Sequence, residues 1–340
     1  MMKEHKENLL EEKQKELFFS GAFYAKKGDE LLKGSCGFSN RSEKILNELD
    51  TRFSIASGCK IFTAIAICIL VEEGKLSFDS KLKDCVDVQF PYFHEDITIH
   101  HLLTHTSGVP DYFNEEVIDD FESLWKSYPM YNIRSPKDFL PLFQNEKMQA
   151  AIGSSFQYNN SGYILLGLIV ENVAECSFTE FVEKRIFRKA GMERSGYFEM
   201  DRLPEQTALG YIEEPDGTWK TNVYSLPAKG GPDGGAYVTA EDIVNFWQAL
   251  MDHRLLSEEM TKMLLEPREI VNEEQNIYYG YSGYMLLNDD QKVVKYIQMG
   301  YDPGANFRAV YYPVEKATIV VCSNKSDGAY ELLKEIESII

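Results

Sequence analysis

Ser57-Gly58-Cys59-Lys60 stands where a strand-like run, residues 52–56, gives way to a long apolar helix predicted over residues 61–73. A serine and a lysine three residues apart at the start of a helix lie on the same face, so the lysine nitrogen reaches the hydroxyl. The helix N-terminus offers unpaired N–H groups to an oxyanion, and a neutral amine accepts the serine proton. The stretch therefore predicts a nucleophile, Ser57, and its base, Lys60.

On its own this S-x-x-K spacing has a second interpretation, in which the serine caps the helix and the lysine is solvated. The wider sequence favours the first, because four segments match one family in the same order. They are FSIASGCK (53–60) with LVEEGKLS (70–77), IHHLLTHTSG (99–108), FQYNNSGY (156–163) and GGAYVTAED (234–242). On these segments the chain resembles the serine beta-lactamase and penicillin-binding-protein superfamily, specifically its class C beta-lactamase-like branch, which also holds esterases and D-amino-acid peptidases.

The second catalytic element of that family is Y-x-N, which corresponds here to Tyr158-Asn159-Asn160 before an apolar helix predicted over residues 163–173. The resemblance implies that Tyr158 lies near Ser57 and Lys60 and takes part in proton transfer to the leaving group. It also implies that Asn160 hydrogen-bonds the acyl amide of the substrate. Without the nucleophile upstream, the same residues would be interpreted as a turn followed by a helix.

The third element departs from the family, which has K-T-G or H-x-G where this chain has Gln298-Met299-Gly300-Tyr301. Lysine or histidine supplies a charged or protonatable donor for a substrate carboxylate, whereas Gln298 supplies a neutral amide. The oxyanion hole implied by the resemblance uses the backbone N–H groups of Ser57 and Tyr301, which do not depend on residue 298. Arg308 on the next strand would offer a replacement charge if its side chain faces the cleft.

The charge of the chain limits its partners. Its 340 residues carry 35 Lys+Arg against 54 Asp+Glu, a formal net charge of −19. Nucleic acid and anionic membrane surfaces would both be repelled, so neither is expected as a partner. A small molecule or a peptide is the expected substrate, and the proposed chemistry needs no metal and no organic cofactor. The oligomeric state is left open.

Cysteine usage and the N-terminal residues bear on location. Six scattered cysteines show no disulfide or metal spacing, and several lie in apolar runs, so buried free thiols are expected. Cys59, beside the nucleophile, is expected to point away from the face that carries Ser57 and Lys60. Residues 1–15 lack the apolar run of a secretory signal, and no run is long enough to span a bilayer. We therefore expect the cytoplasm, or an extracytoplasmic location if a leader has been removed.

Two further motifs are assigned structural roles. His100, His101 and His105 include an i, i+4 pair, but no glutamate stands between them in the zincin arrangement, so no metal site is expected. The glycine-rich residues 230–235 lack the lysine and serine of a phosphate loop. Residues 239–242, which follow, are typical of a capping box that opens a helix.

The order of predicted elements indicates an α/β (α+β) fold. Strands are predicted over residues 18–25 and 30–38, joined in a hairpin, and again over residues 278–287, 292–299, 307–312 and 317–322, with helices at residues 6–17 and 329–340. Residues 1–85 and 199–340 are expected to form a discontinuous α/β domain with an antiparallel sheet flanked by helices. Residues 86–198 are expected to form an inserted all-helical domain, with the active site in the cleft between the two.

These inferences predict a serine hydrolase that acts through a Ser57 acyl-enzyme on a beta-lactam, a D-amino-acid peptide or a small ester. Two alternatives remain. One is a non-catalytic ligand-binding member of the same fold. The other is a cytoplasmic esterase without beta-lactam activity, because Gln298 replaces the lysine or histidine.

Overall fold

The computed structural model describes residues 2–113 and 121–340. The helices of the described residues are α1 Met2–Glu16, α2 Lys60–Glu72, α3 Leu82–Cys85, α4 Ile99–Leu103, α5 Phe121–Ser127, α6 Asn160–Ala174, α7 Phe178–Val182, α8 Arg188–Ala190, α9 Ala240–Met251, α10 Glu258–Leu265 and α11 Ala329–Ile339. Short 3-10 turns lie at Ala56–Cys59, Met130–Asn132, Pro136–Leu142 and Asn222–Tyr224, and a π-helical turn at Glu183–Phe187.

The strands fall into one large sheet and three short pairs. They are β1 Gly21–Lys27, β2 Glu30–Cys36, β3 Phe38–Asn40, β4 Ile45–Leu46, β5 Phe53–Ser54, β6 Tyr211–Glu213, β7 Trp219–Thr221, β8 Tyr237–Val238, β9 Glu269–Asn272, β10 Ile277–Gly280, β11 Gly283–Leu287, β12 Val293–Asp302, β13 Ala305–Tyr312 and β14 Ala317–Ser323. The large sheet has eight strands in the order β2-β1-β14-β13-β12-β11-β10-β9, and every neighbouring pair is antiparallel.

The sheet is covered on both faces, which explains why β14 is buried along its whole length. On one face, α1 and α11 enclose a small apolar cluster that includes Leu10, Leu332 and Ile336. On the other face, α9 packs against β1 and β14. Apolar residues on both faces of a strand are typical of a sheet sandwiched between helical layers. The predicted antiparallel sheet flanked by helices is confirmed.

The helix after the predicted nucleophile lies at the centre of the molecule. Every residue of α2 from Lys60 to Leu70 is buried, which its nearly uninterrupted apolar sequence predicts, because a helix that is apolar all round has no face for solvent. The main apolar core extends without a break from Phe307 in the sheet, through Phe62 of α2, to Tyr163 of α6 and Trp125 of α5. This core holds the turn Ala56–Cys59, named here the nucleophile turn because it carries the predicted nucleophile Ser57, between the sheet and the helices.

Two sequence predictions need correction. Residues 278–287 form two antiparallel strands, β10 and β11, instead of one. The chain turns at Tyr281 and Ser282, and the turn ends at Gly283, whose φ of +112° suits glycine. The strand-like run 52–56 is also shorter than predicted, because only Phe53 and Ser54 pair with a neighbouring strand, β8.

The division into a discontinuous α/β domain, 1–85 with 199–340, and a helical domain, 86–198, stays a prediction. Between Val86 and Phe198 the described residues contain helices and turns but no strand, as the sequence indicates. Residues 114–120 of this predicted domain lie outside the described residues. The main apolar core contains residues of both segments.

Candidate active site

A 3-10 turn, Ala56–Cys59, places Ser57 immediately before α2. Ala56 has a φ of +45°, a left-handed conformation that costs a non-glycine residue about 1 kcal/mol or more. Neighbouring backbone hydrogen bonds hold the turn, since the N–H of Ile55 donates to the oxygen of Ala236 at 3.0 Å and the N–H of Gly58 donates to the oxygen of Ile55 at 2.8 Å. The serine is therefore presented on a strained but well-anchored turn.

Lys60 brings together the groups predicted to carry the chemistry. Its Nζ lies 3.0 Å from Ser57 Oγ, 2.8 Å from Asn160 Oδ1 and 2.5 Å from the backbone oxygen of Asp233. The Lys60 side chain is buried, so water does not compete for these contacts. Its amine thus has three oxygen partners, one of which is the predicted nucleophile.

Tyr158 lies beside this amine, with its ring centroid 5.0 Å from Lys60 Nζ. The ring of the buried His105 lies 4.6 Å from the Tyr158 ring and supports it. Burial lowers the pKa of His105 well below its usual value, so the imidazole is neutral. Tyr158 is therefore held against both the amine and a neutral ring.

Asn160, predicted to bind the acyl amide, is anchored at the start of α6. Asp111 Oδ1 accepts hydrogen bonds from the backbone N–H groups of Asn160 and Ser161, both at 3.1 Å. The Asn160 amide nitrogen donates to the oxygen of Phe113 at 3.3 Å. Burial raises the pKa of Asp111 to about 7, against the lowering effect of those N–H donors and of Lys60.

The sequence interpretation missed Asp111, Tyr112 and Asp233. The Tyr112 hydroxyl donates to the buried Asp233 carboxylate, while the Asp233 backbone oxygen accepts from Lys60. Burial raises the pKa of the Asp233 carboxyl, and the charge of Lys60 opposes this shift. Asp111 and Tyr112 follow the matched segment 99–108, and Asp233 stands in the glycine-rich segment 230–235. In the sequence, the one indication of a role for these three residues is that they lie in or next to those segments.

Gln298 is placed on the side of the sheet that faces the nucleophile turn. Its Oε1 accepts a hydrogen bond from the indole Nε1 of Trp247 at 3.0 Å, and the residue is buried. Arg308, considered as a replacement charge, lies on the other face of the sheet. Its guanidinium is 5.7 Å from the ring centroid of Tyr330 on α11, whereas its neighbour Phe307 packs under Gly58. Arg308 thus supplies no charge to the cleft.

Gly300 lies directly beneath the nucleophile turn. A Cβ atom at this position would stand 2.0 Å from the oxygen of Ile55 and 2.9 Å from the nitrogen of Gly58. Only glycine allows β12 to approach the turn so closely. The next residue, Tyr301, directs its side chain outward and is 56% exposed. Its predicted role rests on its backbone N–H alone.

Two cavities meet at Ser57. The larger has a cavity volume of about 50 Å³ and is also lined by Asn160 and Asp233. Its apolar wall consists of Phe139, Phe198, Met200, Leu226, Pro227 and Tyr237. The other is smaller, about 30 Å³, and is also lined by Lys60, Tyr158 and Gln298. The predicted site residues that line a cavity are therefore divided between two compartments on either side of Ser57, and the walls of both are mostly apolar.

The other candidate reactive residues, Cys59, His100 and His101, contact groups outside the Ser57 and Lys60 cluster. Cys59 is buried, its thiol contacts the oxygen of Gly231, and burial raises its pKa to about 12. The Nδ1 atoms of His100 and His101 lie 2.8 Å from the Tyr281 hydroxyl and 2.9 Å from the Thr98 hydroxyl. Within residues 2–113 and 121–340, no three His, Cys, Asp or Glu side chains converge as metal ligands. Over the same residues, no helix has the length and apolar character needed to cross a bilayer.

Comparison with known proteins places this geometry in a family. A family model described as Beta-lactamase matches residues 8–337. The chain belongs to the Beta-lactamase family. This confirms the resemblance inferred from the sequence and the fold expected from it.

Relatives agree along nearly the whole chain. The crystal structure of a penicillin binding protein from Bacillus halodurans is 54% identical and superposes with a TM-score of 0.93, covering 97% of this chain and 100% of that one. Penicillin-binding protein 4* of Bacillus subtilis (strain 168) is 30% identical over 358 residues, covering 99% of this chain and 76% of that protein. The octameric penicillin-binding protein homologue from Pyrococcus abyssi is 26% identical, with a TM-score of 0.86 and coverage of 100% and 77%. These similarities are consistent with a serine hydrolase of the beta-lactamase fold.

Proposed function

We propose that this protein hydrolyses an amide or ester bond through an acyl-enzyme on Ser57. The observation that carries the proposal is the contact between Lys60 Nζ and Ser57 Oγ at 3.0 Å inside a buried hydrogen-bonded cluster. A serine within hydrogen-bond reach of a base that is itself held by other groups is the arrangement required of an activated nucleophile.

The three partners of Lys60 suit both protonation states of its amine. As an ammonium group it donates one hydrogen to each of Ser57 Oγ, Asn160 Oδ1 and the oxygen of Asp233. As a neutral amine it keeps two of these donations and directs its lone pair to the Ser57 hydroxyl. Transfer of the serine proton to Lys60 therefore needs no rearrangement of heavy atoms, which supports its role as the base.

The remaining steps follow from the positions of the other groups. Ser57 Oγ attacks the carbonyl carbon, and the backbone N–H groups of Ser57 and Tyr301 hold the oxyanion. Tyr158, beside Lys60, passes the proton to the leaving group, and the Ser57 ester is then hydrolysed by water. Asn160 lines the larger cavity and is proposed to position the acyl portion, Gln298 lines the smaller cavity, and Gly300 lies against the backbone of the turn that carries Ser57.

The two cavities support an orientation of the substrate. Tyr158 lines the smaller cavity, which we therefore assign to the leaving group. The larger cavity, with its mostly apolar wall, then receives the acyl side chain, and apolar burial there contributes roughly 25 cal/mol per Å². Penicillins, D-amino-acid peptides and small esters all have this division into an acyl part and a leaving part.

The test is an intact-mass time course of the protein with a penicillin and with a nitrophenyl ester. The wild-type protein should form an adduct or release product with at least one of these compounds, and Ser57→Ala should do neither. Ser107→Ala is the matched control. Ser107 stands in the matched segment 99–108, and its hydroxyl accepts a weak hydrogen bond from the N–H of Val109 at 3.5 Å. Equal reaction of wild type and Ser57→Ala would reject Ser57 as the nucleophile.

A second candidate function is a cytoplasmic esterase that does not turn over beta-lactams. Gln298 favours it, because its neutral amide replaces the charged or protonatable donor implied by the family and Arg308 faces away. Gln298→His should then raise penicillin acylation more than ester hydrolysis. The third possibility, a non-catalytic ligand-binding member, would be supported if no reactive ester acylates Ser57.

The cytoplasm is the location that we propose. All six cysteines are free, as expected of a protein in a reducing compartment. The net charge of −19 supports a small molecule or peptide, rather than nucleic acid, as the partner.

A further inference from the structure

The smaller cavity beside Tyr158 contains two buried polar atoms that have no hydrogen-bond partner among the described residues. They are Nε2 of Gln298 and Oγ of Ser282, and each residue is only 5% exposed. Leaving a buried donor or acceptor without a partner costs about 1–3 kcal/mol. Two such atoms on residues that line one cavity next to Ser57 indicate that a ligand supplies the missing hydrogen bonds.

Trp247 determines which end of the Gln298 amide faces this cavity. An indole N–H is only a donor, so the atom that it contacts at 3.0 Å must be the amide oxygen. The Trp247 ring is in turn stacked on Tyr311 at 4.9 Å and on Tyr296 at 5.8 Å. Gln298 therefore has its oxygen turned to Trp247 and its NH₂ group unpaired, on a rigid aromatic support.

Ser282 provides the complementary group from the turn between β10 and β11. Its backbone N–H donates to the oxygen of Leu264 at 3.1 Å, which anchors the residue. A serine hydroxyl rotates and either donates or accepts. The cavity thus combines one obligatory donor with one adaptable group, a set that complements a carbonyl or a carboxamide.

The charges around the cavity are unfavourable to a carboxylate. Among the described residues that line it, Lys60 is the one basic side chain, and its Nζ already has three oxygen partners. A carboxylate placed beside Gln298 would meet a neutral amide in place of a cation. Burying an ion without a paired charge is far costlier than burying a neutral polar group.

We propose that the cavity between Gln298 and Ser282 binds an uncharged carbonyl or carboxamide in the leaving portion of the substrate, and discriminates against a free carboxylate there. The carbonyl oxygen accepts from Gln298 Nε2, and the remaining amide hydrogen or oxygen pairs with Ser282 Oγ. The designation of this cavity as the leaving-group side rests on the proposed function. The preference for a neutral group rests on the two unpaired atoms and the absence of a spare cation among the described lining residues.

The test compares N-acetyl-D-alaninamide with N-acetyl-D-alanine, which differ only in the terminal group. Binding is followed by the indole N–H resonance of Trp247 in isotope-labelled Ser57→Ala protein, assigned with Trp247→Phe. The carboxamide should shift this resonance at a concentration at least tenfold lower than the carboxylate. Gln298→Met and Ser282→Ala should each weaken carboxamide binding about fivefold, since one neutral hydrogen bond contributes about 1 kcal/mol.

Gln291→Met is the matched control, because Gln291 is exposed and its side-chain oxygen accepts a hydrogen bond from the Tyr278 hydroxyl at 3.1 Å, away from the cavity. It should bind the carboxamide like the parent protein. Gln298→Lys should reverse the preference toward the carboxylate, which a merely structural role of Gln298 would not produce. Equal affinities, tighter carboxylate binding, no Trp247 shift with either compound, or unchanged binding in both Gln298→Met and Ser282→Ala would overturn the inference.

The proposed function is judged separately, by Ser57-dependent acylation. Carboxamide binding that depends on Gln298, together with no acylation of wild-type protein, would support the cavity and reject the hydrolase. Acylation of the wild-type protein without a preference for the carboxamide would support the hydrolase and reject the proposal for the cavity.

Discussion

Nδ1 of His105 accepts a hydrogen bond from the backbone N–H of Asn159 at 3.0 Å. Since the backbone group is the donor, Nδ1 carries no proton, and Nε2–H donates to the Tyr279 hydroxyl at 3.0 Å. The same ring packs on Tyr158. The Asn159 N–H thus fixes the tautomer of the His105 ring, and the ring in turn holds the backbone between the two predicted site residues Tyr158 and Asn160.

Removing this acceptor should slow acylation without touching the nucleophile. His105→Leu leaves the buried N–H of Asn159 unpaired and should lower the free energy of unfolding by about 1–3 kcal/mol. We expect the acylation rate, measured on the folded fraction, to fall at least tenfold. His105→Asn should retain more of both properties, because an amide oxygen can replace Nδ1 and asparagine tolerates the φ of +57° at this position. Equal effects of the two substitutions would contradict this role.

Asp111 should give stability a pH dependence of defined sign. Its pKa is about 7 in the folded protein against 3.8 for the ordinary group, so between these values the folded state holds a proton that the unfolded state lacks. The contribution of Asp111 to the free energy of unfolding therefore decreases as pH rises from about 4 to 7, by up to about 1.4 kcal/mol per pH unit.

His105 opposes this trend, because its lowered pKa makes the unfolded state take up the proton first below about pH 6.5. Between about pH 4 and 7, the free energy of unfolding should therefore rise more steeply with pH in Asp111→Asn than in the wild type. In His105→Asn it should rise less steeply than in the wild type. Urea unfolding at several pH values measures both differences. A difference between Asp111→Asn and wild type that does not change with pH would rule out the predicted titration.

Gly300→Ala should disrupt the nucleophile turn. The added methyl group would meet backbone atoms of Ile55 and Gly58, which cannot rotate away as a side chain can. We expect a loss of about 1–3 kcal/mol or more in the free energy of unfolding and a larger relative loss in acylation rate. Gly231→Ala is the matched control for stability, since no atom lies within 4 Å of the added Cβ there. Comparable destabilisation of both variants would argue against the close approach.

Cys59 should be inert despite its position beside the nucleophile. Its pKa is raised to about 12 and it is fully buried, so little thiolate is exposed at pH 8. Iodoacetamide should modify the partly exposed Cys176 of the native protein, and peptide mass spectrometry should find Cys59 unmodified. Labelling of Cys59 as fast as Cys176 would mean that the turn opens in solution.

Contacts between site residues that are close in the sequence could be predicted from the sequence. Contacts between residues that are far apart in the sequence could not. The contact of Lys60 with Ser57 follows from helical spacing alone, and α2 starts within one residue of its predicted position. The contact of Lys60 with Asp233 and the pairing of Gln298 with Trp247 join residues 173 and 51 positions apart. No periodicity indicates such partners, since they depend on how loops and layers pack. The turn within residues 278–287 was missed because the apolar pattern continues through it.

The unbroken apolar core has a consequence for how substrate reaches Ser57. The sheet, α2 and α6 form one packed body, so a hinge that separated them would expose apolar surface at roughly 25 cal/mol per Å². Opening by only about 400 Å² would cost on the order of 10 kcal/mol, comparable to the whole stability of a typical domain. We therefore expect substrates to bind in a cleft that is already formed. Substrates would be selected as they enter this cleft, and the catalytic cycle would include no domain closure.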